Sequence, residues 1–210
     1  MKKGCRLLIC LFSVLAVSAI VVMSSIKINI DECLVQAGIA SNIIRFHVRA
    51  NSDTDTDQQL KIKVKNEVVS YIQPFLENSP SIDTSREILS QHIEDIKDTA
   101  LDTIHKEGFN YSVNVYFEQS YFPMKTYADV TFPPGEYEAF RIDIGEANGK
   151  NWWCVLYPPL CFVDSVYGEL PESSKEELKN VLTDDEYNAI TDVQYKYKFK
   201  YLKFLNKFIK

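Results

Sequence analysis

Apolar and polar residues alternate along residues 43–49, IIRFHVR, and this alternation predicts a half-buried strand. The apolar side chains fall on one face of the strand, and Arg45, His47 and Arg49 fall on the other. Because the second face is polar, we expect it to meet water, where its three side chains are available to a partner.

Two helices are predicted in the following part of the chain. In the first, over residues 57–73, apolar residues recur at every fourth position behind a capping box of Thr56 and Gln59. Pro74 bends or ends this helix. The second, over residues 85–107, carries apolar residues at helical spacing on one face and acidic residues on the other. The polar turn between them is short, so we expect the two helices to pack as a hairpin.

The patterns further along the chain are mostly those of strands. Alternation predicts strands over residues 111–117 and 125–132. Residues 152–157, WWCVLY, are apolar on both faces, which is typical of a central strand that is covered on both sides. Residues 136–146 fit either a short helix or a strand, and we favour the helix. Partly helical patterns cover residues 172–182 and 184–209.

Together these elements predict an α+β fold, in which the helix pair covers a small antiparallel or mixed sheet. We expect a signal peptide or membrane anchor over residues 1–30 and an extracytoplasmic domain over residues 31–210. The core of that domain is expected over about residues 40–165, and a basic helical tail over about residues 172–210.

The first residues predict export. Lys2, Lys3 and Arg6 precede an uncharged apolar run over residues 7–23, and both secretory signals and membrane anchors have this layout. The basic head favours the cytoplasm, so the rest of the chain is expected outside. Cleavage of the leader stays open, and the body is therefore either secreted or anchored at its N-terminus.

The net charge of −6 is unevenly distributed along the 210 residues. All 29 acidic residues lie within residues 31–192 together with 13 lysines and arginines, so this body carries a charge of −16. Such a body repels phosphate backbones, which disfavours nucleic acid as a partner. Residues 193–210 instead interleave aromatic residues with six lysines. This tail either docks on the body or contacts an anionic membrane surface or an acidic partner.

The candidate metal and catalytic residues do not form a known motif. Asp53, Asp55 and Asp57 start like a calcium loop, but Gln58 and Val64 stand where glycine and glutamate are needed. No zinc motif, nucleophile elbow or phosphate-binding loop occurs in the sequence. We therefore expect no metal, no cofactor and no enzymatic activity.

Residues 151–162, NWWCVLYPPLCF, are the most unusual segment of the chain. A tight turn at Tyr157-Pro158 would set Cys154 opposite Cys161 and allow a disulfide, with at least one X-Pro peptide bond of this segment in the cis form. Burial of two free thiols in an apolar core explains the same cysteines equally well.

Two blocks of sequence, IRFHVRANSD at residues 44–53 and residues 126–164 around NWWCVLYPPLCF, resemble the stage II sporulation protein R family. The resemblance implies a signalling protein made in the forespore and exported into the space between the two membranes that separate it from the mother cell. There, members of the family activate a membrane-embedded aspartic protease, which removes the pro-sequence of the mother-cell sigma-E factor. The resemblance transfers no catalytic residue, because the chemistry belongs to the protease.

If the chain acts by contact, we expect the surface that matters on the first strand, on the turn after it and on the tryptophan-rich segment. The predicted partner-binding residues are Arg45, His47, Arg49, Asn51, Asp53, Trp152, Trp153, Pro158 and Pro159. Two alternatives remain open. One is a peptidoglycan-binding module that stacks exposed Trp152 and Trp153 on glycan, and the other is a thiol–disulfide protein that uses Cys154 and Cys161.

Overall fold

The computed structural model describes residues 2–162 and 169–192, in which six α-helices and six strands form. The helices are α1 (Lys2–Asn42), α2 (Asp55–Leu76), α3 (Ile82–Gln91), α4 (Ile93–Lys106), α5 (Glu172–Val181) and α6 (Asp184–Thr191). The strands are β1 (Ile44–Arg49), β2 (Val113–Phe122), β3 (Lys125–Tyr127), β4 (Val130–Phe132), β5 (Gly135–Ile144) and β6 (Asn151–Tyr157). The predicted α+β class is confirmed.

The N-terminal apolar run lies within α1, which continues through Asn42 to the start of β1. In the described part of the chain, no helix combines the length and the apolarity that crossing a membrane requires. The signal peptide or membrane anchor over residues 1–30, and export, stay predictions. Helices α5 and α6 form in the first part of the predicted tail, and its lysine-rich part, residues 193–210, lies outside the described residues.

The main sheet is mixed and has the strand order β2-β5-β1-β6. β1 runs parallel to β5 and antiparallel to β6, while β2 runs antiparallel to β5. The favoured helix over residues 136–146 is wrong, because Phe140, Ile142 and Ile144 alternate along β5 and fill the core from one of its faces.

Two further strand predictions need correction. The predicted strand over residues 125–132 is a separate hairpin of β3 and β4, turned at Ala128 with a φ of 53°. Strand β2, which precedes this hairpin, continues to Phe122. The predicted strand over residues 152–157 is β6, which lies at the edge of the sheet and not at its centre. It is covered on both sides all the same, because its residues alternate between two hydrophobic clusters.

The helices of the predicted hairpin begin and end at other residues than those predicted. The cap of α2 is Thr54 and not Thr56, since the Thr54 side chain accepts a hydrogen bond from the Asp57 backbone amide at 3.3 Å. Pro74 lies inside α2, which ends two residues later. The predicted second helix is split at His92 into α3 and α4, and both keep an apolar face towards one core. α2 packs against α4, as a hairpin requires.

Hydrophobic clusters lie on both faces of the sheet. α2, α3 and α4 cover one face. The end of α1, the β3–β4 hairpin, α5 and α6 contribute to the cluster on the other face. This second layer overturns the expectation that the polar side of β1 meets water, because Arg45 is 0% exposed and His47 is 1% exposed. β1 is an interior strand that lies between two layers.

Candidate functional site

The side of the sheet opposite the α2–α4 hairpin carries an unusual density of polar side chains. Directly paired residues of adjacent strands share a face, and His47 pairs with Arg141 on one side and with Trp153 on the other. Tyr116 pairs with Arg141 and completes a row across all four strands. We call this surface the polar face; its residues are Arg45, His47, Arg49, Tyr116, Glu118, Arg141, Asp143, Asn151 and Trp153.

Arg141 is the centre of an ionic network on the polar face. Its guanidinium donates from Nη1 to Glu118 Oε1 at 2.8 Å and from Nε to Asp143 Oδ1 at 2.7 Å. Tyr116 donates its hydroxyl to Asp143 Oδ2 at 2.9 Å. Burial and the hydrogen bond to Asp143 raise the pKa of Tyr116 to about 12. Burial alone would raise the pKa of Glu118, but hydrogen bonding and the charge of Arg141 outweigh it and lower that pKa.

His47 is neutral at pH 7. Burial, and next the positive charge of Arg141, lower its pKa to about 4, although Glu118 acts in the opposite direction. Its Nε2 lies 3.1 Å from Glu118 Oε1, so the neutral ring donates from Nε2 and leaves Nδ1 as an acceptor. The ring stacks on Trp153 with centroids 5.2 Å apart and planes inclined by 16°.

Five buried polar side-chain atoms of the described residues lack a hydrogen-bond partner, and all five belong to the polar face. They are Nε and Nη1 of Arg45, Nδ1 of His47, Nε of Arg49 and Oδ1 of Asn151. An unsatisfied buried polar group costs about 1–3 kcal/mol of stability, so such groups are rare in folded proteins. Their concentration on one face makes this face the candidate functional site.

Arg45 is enclosed by aromatic rings. The guanidinium carbon lies 4.6 Å from the ring centroid of Phe122, 5.1 Å from that of Phe132, 5.2 Å from that of Tyr137 and 5.6 Å from that of Tyr127. Burial lowers its pKa. The ring faces attract the cation and partly replace a carboxylate. The structure therefore makes Arg45 an interior residue and not the surface contact that was predicted.

The predicted contact residues of the turn after β1 hold neighbouring backbone in place. Asn51 donates to Asp57 Oδ2 at 2.9 Å and accepts from the Glu146 amide at 3.0 Å. Asp53 accepts from the Lys150 amide at 2.7 Å. Burial opposes ionisation of Asp57, but hydrogen bonds from Ser52, Asn51, Tyr111 and Thr54 outweigh it and lower the pKa of Asp57. These polar residues link β1, the start of α2 and the loop before β6.

The segment around the tryptophans forms the predicted tight turn. The Tyr157-Pro158 peptide bond is cis, and Cys154 is joined to Cys161 by a disulfide with Cα atoms 5.7 Å apart. The structure thus joins two cysteines for which the sequence left both a disulfide and two free buried thiols open. Pro158 is buried, and Pro159 lies beside it in a cleft that the end of α2 and α5 also line.

Trp152 and Trp153 lie on opposite faces of β6, and both are partly buried. Trp152 meets the edge of Phe46, with ring centroids 5.9 Å apart, and has the Lys65 ammonium 4.7 Å from its ring centroid. Trp153 packs on His47 and Phe122. The peptidoglycan alternative predicts exposed tryptophans, and neither Trp152 nor Trp153 is fully exposed.

Comparison with known proteins assigns the chain to a family. Residues 40–167 match the stage II sporulation protein R family. The chain belongs to this family. The stage II sporulation protein R of Bacillus subtilis (strain 168) is 40% identical to the chain over 152 residues, which cover 70% of the chain and 68% of that relative. No solved structure matches.

Membership of the stage II sporulation protein R family supports a role in sporulation. The matched residues contain β1 to β6 and α2 to α4, so they include the whole main sheet and both helices of the hairpin. The polar face lies entirely inside them. α5 and α6 lie after them.

Five polar-face residues of this stage II sporulation protein R family member are not among the predicted partner-binding residues: Tyr116, Glu118, Arg141, Asp143 and Asn151. Two of them lie on β5, whose alternating pattern was interpreted as a helix. Had residues 136–146 been interpreted as a strand, Arg141 and Asp143 would have shared one face opposite Phe140 and Ile142. Their pairing with His47 depends on strand order, which the pattern does not contain.

Proposed function

We propose that this chain is an exported sporulation signal that activates a membrane-embedded aspartic protease by binding to it. That protease processes the pro-form of the mother-cell sigma-E factor. Family membership supports the sporulation role, and the observation that carries action by contact is the polar face. Two of its unsatisfied atoms, Arg49 Nε and Asn151 Oδ1, belong to partly exposed side chains that can turn towards a partner, so a bound protein supplies hydrogen bonds that these atoms otherwise lack.

Activation by contact requires that the chain binds the active arrangement of the protease more tightly than the inactive one. A difference of about 1–3 kcal/mol changes the populations 5- to 150-fold. A rigid surface suits this role, because it loses little conformational entropy on binding. The Arg141 network and the Cys154–Cys161 disulfide supply that rigidity next to the polar face.

We place the working domain outside the cytoplasm, as a secreted or N-terminally anchored protein in the space between the forespore and mother-cell membranes. The Cys154–Cys161 disulfide supports this location, because structural disulfides persist in oxidising compartments. The lysine-rich residues 193–210 add a second contact, with an anionic membrane surface. Removing them is expected to weaken binding to vesicles that contain anionic lipid and to leave binding to neutral vesicles unchanged.

Reconstitution tests the proposal. The exported chain, the protease and its pro-sigma-E substrate are expressed together in a host that does not sporulate, and processing is followed by the shift in substrate size. We expect processing only when the exported chain is present. Equal processing without the chain would falsify the activator role. Equal processing with a chain that lacks residues 1–30 and stays in the cytoplasm would contradict its placement outside the cytoplasm.

A further inference from the structure

Two cations on and beside the polar face have no acidic partner. Among the described residues, every ion pair on this face involves Glu118 or Asp143, and neither Arg49 nor Lys125 takes part in one. The Lys125 ammonium lies 5.6 Å from the ring centroid of Trp153. Residues 31–192 carry a charge of −16. Two cations that lack a carboxylate partner are therefore a local exception on an acidic domain.

Each of the two cations accompanies one residue of the edge strand β6. Arg49 pairs with Asn151 in the β1–β6 register, and Lys125 lies over Trp153. Asn151 and Trp153 are two residues apart on β6, and a strand rises about 3.3 Å per residue, so the two positions lie about 7 Å apart on the same face. In an extended peptide, every second side chain lies on the same side, and two such side chains are also about 7 Å apart.

The unsatisfied atoms of this edge require both a donor and an acceptor from the ligand. Arg49 Nε is a donor without an acceptor, and Asn151 Oδ1 is an acceptor without a donor. Both residues are partly exposed, so a rotation of either side chain presents its buried atom to a ligand. A bare anion supplies only acceptors. A peptide with acidic side chains supplies carboxylates together with backbone N–H donors.

We infer that the edge formed by Arg49, Asn151, Trp153 and Lys125 binds an extended acidic segment of the protease, in which two carboxylates are separated by one residue. This inference rests on the proposed function, and it adds where the protease binds and which chemistry it presents. His47 is a positioning residue in this interface, because it supports Trp153 from below by stacking and is itself enclosed.

Charge reversal tests the inference in the reconstituted system with the full chain. We expect Arg49→Glu and Lys125→Glu each to lower co-purification of the chain with the protease by roughly tenfold or more, since each places like charges face to face. Lys63→Glu is the matched control. Lys63 is an exposed lysine of α2, on the other side of the sheet, and this variant should bind as the wild type does.

Rescue identifies the occupant. Substituting lysine for each acidic residue of the extracytoplasmic part of the protease should yield at least one variant that restores binding to Arg49→Glu and binds the wild-type chain poorly. Arg49→Lys keeps the charge and the fold, and we expect it to retain more binding than Arg49→Glu. Circular dichroism of each variant verifies folding, so a loss of binding is counted only for folded chains.

The outcomes separate this inference from the proposed function. If the wild-type chain activates the protease and both charge-reversal variants activate it equally well, the acidic-segment inference is overturned while the activator role stands. If the variants lose binding to anionic vesicles but not to the protease, the edge binds lipid and the inference is also overturned. If the wild-type chain itself has no effect on processing, the proposed function is overturned, and the inference that rests on it is overturned with it.

Discussion

His47 Nε2 lies 3.1 Å from Glu118 Oε1, although the strand that carries Arg141 separates their two strands in the sheet. The carboxylate reaches across β5 and binds both the imidazole of β1 and the guanidinium of Arg141. One acidic side chain thus links three strands on a face that is largely closed to water. This pair makes the stability of the fold depend on pH.

Stability should fall as the pH is lowered from about 6.5 to about 4. The pKa of His47 is about 4 in the folded chain and 6.5 for the ordinary side chain, so between these values the unfolded chain takes up a proton that the folded chain does not. The full effect is roughly 3 kcal/mol. Chemical denaturation of the wild type and of His47→Gln at several pH values above 5 measures the part of this effect that appears before the carboxylates titrate.

The His47→Gln variant should lose this slope, because the glutamine side chain does not titrate while its amide can still donate to Glu118. His105→Gln is the matched control, since it changes an exposed histidine and keeps His47. Equal slopes for the wild type and His47→Gln between pH 5 and 7 would show that His47 is not the source.

Replacing Arg45 by methionine should raise the free energy of unfolding by about 1–3 kcal/mol. Arg45 is fully buried, two of its nitrogens have no partner and its surroundings are aromatic, so an apolar chain of similar length avoids the desolvation cost. Arg45→Ala should instead lower stability by about 2–5 kcal/mol, because it leaves a cavity. A marked loss of stability in Arg45→Met would indicate that the aromatic rings hold the cation more strongly than burial opposes it.

Removing the Arg141 side chain should lower the stability of the fold. Arg141→Met leaves Glu118 and Asp143 without their shared cation on a largely buried surface, and we expect a loss of about 3 kcal/mol in urea denaturation. Part of this loss should be recovered at low pH, where the two carboxylates are protonated. Lys97→Met is the control, because its exposed pair with Glu94 contributes at most about 0.5 kcal/mol. Equal effects of the two substitutions would contradict the role assigned to the network.

Removing the disulfide should cost stability but leave signalling intact. Cys154 and Cys161 are seven residues apart, and closing so short a loop contributes about 2–3 kcal/mol through the unfolded chain. We therefore expect the Cys154→Ala, Cys161→Ala double variant to melt at a lower temperature and to activate the protease wherever it is folded. Loss of activation by a folded double variant would favour the thiol–disulfide alternative.

Local pattern was sufficient where neighbours in the chain decide the structure. The alternation of IIRFHVR predicted β1, and the apolar spacing predicted α2. The same reasoning failed for residues 136–146, since a short segment that alternates apolar and charged residues fits both periods. The core on each side of β5 favours the strand, and that core is built from distant parts of the chain.

The sequence by itself therefore determined the α+β class, most of the elements and the family. Only the tertiary structure decided that Arg45 and His47 are interior residues, because a strand shows which side chains share a face and not what covers that face. The cover comes from the end of α1 and from the β3–β4 hairpin, and the alternation within β1 contains no information about either of them. The polar face has the same origin, since burial and strand order, both non-local, bring Glu118 and Arg141 to His47.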